Sequence, residues 1–156
     1  MSEPPSDLEL GAWRALLRAH AGVARQLESD LVAGHGLSLA DFDVLDRLRA
    51  APGGRLRMSE LAAAVLLSRS GLTRLVDRLQ REGLVCRQSC TSDARGTYTV
   101  VTETGLRRLR GASRTHLTAV RIQVGGRLSL TELAELHRLL SRLAADEARL
   151  AAPAAG

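Results

Sequence analysis

Apolar residues fall into a helical rhythm from the start of the chain. Leu10, Trp13, Leu17, His20, Ala24, Leu27 and Leu31 follow one another at spacings of three and four. They line one stripe of a helix over about six turns, roughly 40 Å long. Gly34 and Gly36 end it. Ser38 then has the place of an N-cap, and Phe42, Leu45 and Leu48 face inward on a second helix that Pro52-Gly53-Gly54 closes. A short third helix is expected from about Ser59, burying Leu61 and Val65, and Leu66-Leu67 connects it to the next. Ser68 caps a fourth helix whose stripe is Leu72, Leu75, Val76 and Leu79, with Gly83 as its stop.

Beyond Gly83 the period changes. Leu84 to Gln88 and Thr97 to Val101 are β-prone and too short for stable helices. The polar, turn-rich run from Ser89 to Gly96 joins them into a hairpin with a long loop. Thr102 caps a fifth helix carrying Leu106, Leu109, His116 or Leu117, Val120 and Val124. Gly125-Gly126 breaks it, and Ser129 starts a sixth with Leu133, Leu136, Leu140 and Leu143. No internal repeat is present, and the ends up to Asp7 and beyond Leu150 read as disordered. The expected fold class is mostly α with a small β-hairpin wing.

Composition narrows the class. With 156 residues the chain fits one domain, and 45% hydrophobic residues make it globular. Trp13, Phe42 and Tyr98 are the only aromatics, so the core must be aliphatic, which suits helices packed on helices. The 22 basic residues are all Arg against 17 acidic ones, a net charge of +5. Arg suits phosphate recognition, but the missing Lys is better read as the mark of a GC-rich genome. A polyanionic partner fits the excess charge. No run reaches the ~20 apolar residues of a membrane span, and the acidic, proline-bearing start is unlike a signal peptide, so a cytoplasmic protein is expected.

The fourth helix separates its faces. Ser70, Thr73, Arg74, Asp77, Arg78 and Arg81 point away from the apolar stripe. Ser68 and Ser70 stand at its start, where free N–H groups and the helix dipole favour phosphate. Short hydroxyls there let the backbone approach a major groove about 12 Å wide, and the arginines reach base edges or flanking phosphates. A solvated basic face is the competing reading for this helix alone. The hairpin favours the groove: its loop ends in Asp93-Ala94-Arg95-Gly96, an Arg on an exposed arm beside an acid that orients it for a narrow minor groove.

Taken in order, these pieces resemble the MarR family of bacterial regulators. The resemblance is carried by Met58-Ser59-Glu60-Leu61-Ala62, the run from Leu67 to Leu79, Glu82-Gly83-Leu84-Val85, the Asp93-x-Arg95 wing and Val101-Thr102-Glu103-Thr104-Gly105. It implies a single domain over 1–156: a winged helix-turn-helix part at 38–101, and dimerisation helices at 8–34 and 102–150. It further implies a homodimer on a pseudo-palindromic double-stranded DNA operator, probing the major groove with Ser68, Arg69, Ser70, Thr73, Arg74 and Arg78 and the minor groove with Arg95 steered by Asp93. Leu66 departs from the Gly that many relatives carry in the turn. The stripe on the first helix and the apolar faces of the last two independently exceed what one winged domain covers.

Many members of that family release DNA on binding a small phenolic or lipophilic effector. Trp13, Leu17, His20, Phe42 and Leu45 are the residues here that such a cleft would use, and Trp13 and His20 serve as well as interface core. Cys86 and Cys90 read as inert thiols or as a redox point at the root of the wing. His20, His35, His116 and His137 are scattered, so no metal site or cofactor is expected. No phosphate loop, nucleophile elbow or paired-acid motif supports an enzyme. The expectation is a transcriptional regulator acting as a repressor; a winged module that binds only protein is the alternative.

Overall fold

Hydroxyl and carboxylate caps set where the helices begin. In the computed structural model, which describes residues 3–65, 67–89 and 97–150, α1 (Asp7–His35) opens at Ser6. The Ser6 hydroxyl accepts the Glu9 N–H (3.3 Å) while the Glu9 carboxylate accepts the Ser6 N–H (2.7 Å). This reciprocal box satisfies two of the donors that a helix start leaves unpaired. Ser38 and Asp41 repeat it before α2 (Leu39–Ala50), and Ser129 with Glu132 before α6 (Leu130–Leu150). Gly36, at φ +61°, ends α1 in the left-handed conformation that glycine adopts without strain.

The chain divides into two compact units, Met1–Ala119 and Val120–Gly156. In the first, α3 (Met58–Ala64) and α4 (Arg69–Arg81) form the helix pair the sequence predicts, followed by β2 (Val85–Ser89), β3 (Thr97–Val101) and α5 (Glu103–Val120). The expected hairpin gains a strand. β1 (Arg55–Arg57) pairs antiparallel with β3, giving the order β1-β3-β2. Arg55 faces Val100 and Arg57 faces Tyr98 across the ladder. Three residues, two of them Arg, are too short and too polar to show a strand period, and the preceding Pro52–Gly54 turn reads only as a break.

The core of this unit is aliphatic. Leu31, Leu37, Val44, Leu45, Leu48, Leu61, Leu72, Val76, Leu79, Leu84, Leu109 and Ala112 are all buried in one cluster. It therefore joins the end of α1 and all of α2 to the inner faces of α3, α4 and α5. Thr102 fastens the base of α5. Its N–H donates to the Leu84 carbonyl (3.1 Å), its hydroxyl donates to the Gly83 carbonyl (2.7 Å), and the same oxygen accepts the Gly105 N–H (3.0 Å). Gly105 passes so close to Leu84 that a Cβ there would fall 2.1 Å from that carbonyl oxygen.

In the second unit the chain leaves α5 at Val120 and runs through a wide π-helical turn, Arg121–Gly125, where Gly126 N–H donates to Arg121 O (2.7 Å). A regular helix to Val124 was the expectation; the turn widens before the Gly125-Gly126 pair instead. Leu136, Leu139, Leu140 and Leu143 recur along α6 at helical spacing and are exposed. No helix among the described residues is long and apolar enough to cross a membrane.

Candidate nucleic-acid interface

The site grows from the first turn of α4. Ser68 holds an extended backbone (φ −65°, ψ 154°), and its hydroxyl accepts the Gly71 N–H at 3.2 Å. That hydroxyl lies 3.4 Å from the Ser70 hydroxyl, and Thr73 donates its own to the Arg69 carbonyl at 2.9 Å. Ser68, Arg69, Ser70, Thr73 and Arg74 are all exposed, while Leu72, Val76 and Leu79 are buried on the opposite face. The structure thus brings five of the residues expected to read DNA onto one accessible end of a single helix. Among the described residues neither Arg69 nor Arg74 has an ion-pair partner, so both guanidinium forks are available to a ligand.

The far end of α4 is closed by glycine. Leu84 N–H donates to Leu79 O (2.9 Å) and Gly83 N–H to Gln80 O (3.0 Å), with Gly83 at φ +71°. This is the Schellman arrangement, and it satisfies carbonyls that would otherwise point into solvent unpaired.

Arg78 belongs to a different environment from Arg74, although the sequence groups them. Its guanidinium grips Asp41 of α2 with two prongs, Nη2 to Oδ1 at 2.5 Å and Nη1 to Oδ2 at 3.1 Å, and also reaches Glu82 at 3.4 Å. Asp41 is 1% exposed. The Asp41 hydrogen bond, partly opposed by burial, raises the Arg78 pKa above its ordinary value, with Asp41 and Glu82 charge adding to it. Asp77, expected to point freely outward, accepts from Arg87 of β2 at 2.6 Å and ties the helix to the wing sheet. Neither Asp41 nor Arg87 figures among the sequence candidates. Asp41 had a signal: it lies on the stripe of Leu45 and Leu48, where an acid must be paired when buried.

The wing sheet shows one basic, aromatic face: Arg55 and Arg57 lie over the Tyr98 ring, 4.8 and 5.5 Å from its centroid. Cys86 is half-buried. Asp93 and Arg95, with Leu66 and Cys90, lie outside the described residues.

The residues expected to form an effector cleft fall into two environments within one chain. Trp13, Leu17 and His20 are exposed on α1. Phe42 and Leu45 are buried in the core, and the Phe42 ring stacks on His116 of α5 with centroids 4.3 Å apart and planes 16° from parallel. Burial lowers the His116 pKa, against the opposing charges of Asp46 and Asp43. Among the described residues no group of three His, Cys, Asp or Glu side chains is placed to hold a metal ion.

A capped basic helix preceded by a short helix and followed by a hairpin that completes a three-stranded sheet defines a winged helix-turn-helix protein. A MarR family model matches residues 35–96. AbsC, a MarR family transcriptional regulator from Streptomyces coelicolor, is 35% identical over 93% of this chain and 97% of its own, with a TM-score of 0.84. Sco3205, a MarR family transcriptional regulator from the same organism solved in complex with DNA, is 30% identical over 92% of this chain and 90% of its own, with a TM-score of 0.86. The organohalide-sensing regulator RdhR-CbdbA1625, in its 2,4-dichlorophenol bound form, shares the fold at 17% identity over 99% of this chain and 92% of its own, with a TM-score of 0.82. Among curated proteins none matches. The chain belongs to the MarR family of transcriptional regulators, and is a regulator of transcription and not an enzyme.

Proposed function

We propose that this regulator binds double-stranded DNA at a pseudo-palindromic operator as a homodimer and acts there as a repressor in the cytoplasm. The exposed start of α4 carries the reading: Arg69 and Arg74, with no ion-pair partner among the described residues, project beside Ser68, Ser70 and Thr73. Hydroxyls and N–H groups at a helix start position phosphates, and Arg forks read guanine edges in the major groove. Asp93 and Arg95 supply the minor-groove contact. The related regulator Sco3205 was solved with DNA, which supports the same partner here.

Residues 38–101 form the DNA-reading part of a single domain, and residues 8–34 and 102–150 pair two chains. The exposed Trp13, Leu17, Leu117, Ile122, Leu136, Leu139 and Leu143 support the pairing, because isolated chains do not leave so many large apolar groups in water. A phenolic or lipophilic effector is taken between the dimerisation and DNA-reading parts by Trp13, Leu17, His20, Phe42 and Leu45; a regulator of the same fold that holds 2,4-dichlorophenol supports that ligand class.

Selection of duplexes from a random pool by the purified chain tests this. The expected product is an inverted repeat with half-sites one helical turn apart, about 34 Å. Enrichment of no sequence, or of a lone half-site, overturns it.

A further inference from the structure

Among the described residues expected to read DNA, Arg78 is the one whose charge is already spent inside the protein. Asp41 takes both prongs of its guanidinium, and Glu82 stands at 3.4 Å. One cation between two carboxylates leaves a net negative charge, which a phosphate avoids. Asp41 is buried, so its carboxylate is shielded from solvent. Its Oδ2 also accepts the Ser38 N–H (2.9 Å), closing the start of α2. The neighbouring Leu39 N–H donates to Glu28 of α1 (2.5 Å). A chain of polar contacts thus runs from α1, through the start of α2, to the third turn of α4. The two-pronged contact fixes both the rotation and the height of α4 against α2, which a single hydrogen bond does not.

We propose that Arg78 serves operator recognition as a positioning residue: through Asp41 it sets the pose of α4 against α2, and it makes no contact with DNA. The proposal rests on the operator reading above, and the test separates the two.

Full-length wild type and the variants D41N, R78A, R78K, D41N/R78A and R74A are titrated with the selected operator and with a scrambled duplex across a range of salt. D41N and R78A are each expected to weaken operator binding about tenfold, the usual consequence of losing a charged hydrogen bond. Their binding to scrambled duplex and their salt slopes stay at wild-type values, and the double variant is no worse than either single one. R74A, by contrast, lowers the salt slope by about one. R78K keeps the charge and loses the fork, so it behaves as R78A does. Three results overturn the proposal: R78A lowering the slope by one while D41N binds normally, R78K binding as wild type does, or folded D41N and R78A keeping full operator affinity with only a lower melting temperature. Should D41N fail to fold by circular dichroism, R78K and R78A decide alone. A wild type that prefers no duplex removes the operator reading itself, and this one with it.

Discussion

Burial gives individual side chains roles that their type alone does not reveal. Asp41 shares an inward stripe with Leu45 and Leu48, so the sequence marks it as an acid in need of a cation. It does not name the cation, because Arg78 is 37 positions away and looks from its own helix like another outward Arg. Ser68 was legible, since a hydroxyl before an amphipathic run is a local signal. His116 was only half legible: its stripe left His116 and Leu117 as alternatives for the inward position, and the Phe42 stack shows which way α5 is rotated. That stack makes a pH prediction. Burial holds His116 below its ordinary 6.5, so the unfolded chain takes up the proton first as pH falls. Its share of stability is whole above that value and declines as pH drops through it. Urea midpoints at about pH 7.5 and about pH 5.5 should therefore fall more for wild type than for His116→Gln. Equal falls would show that the ring's burial contributes nothing.

Elements were legible where their ends carry chemistry. Ser38, Ser68, Thr102 and Ser129 each precede a helix, and all four lie where the apolar stripes place them. β1 was invisible because its identity comes wholly from β3, a partner more than forty positions later. The wide turn after Val120 was equally hidden, since glycines announce a break but not its geometry. Gly83 offers a direct test of element geometry. Its φ of +71° strains any residue with a Cβ. Gly83→Ala should cost about 1 kcal/mol or more in a denaturant titration, and no space constraint contributes, because nothing lies within 4 Å of the added carbon. An unchanged midpoint would mean that the Schellman turn relaxes freely.

At the scale of the whole molecule, the sequence announced a mate through apolar stripes longer than one winged domain can cover. The described chain leaves those stripes uncovered, on α1 at Trp13 and Leu17 and on α6 at Leu136, Leu139, Leu140 and Leu143. The proposed homodimer then has a simple check. Leu136→Arg with Leu140→Arg should give a protein of single-chain mass in analytical ultracentrifugation, with secondary structure retained and operator affinity lowered. A variant that still sediments as two chains would move the pairing surface elsewhere.

The Thr102 clasp has a mechanical consequence. Leu84 and Gly83 hold the foot of α5 through Thr102, and Gly105 packs too close to Leu84 to admit a Cβ, while farther along the helix His116 stacks on Phe42 and Thr115 meets His35 at 2.8 Å. The 18 residues of α5 make a rod of roughly 27 Å, so a tilt of about 5° about that foot carries its far end roughly 2 Å. In the homodimer proposed above, a tilt of that size would shift the two reading heads apart or together.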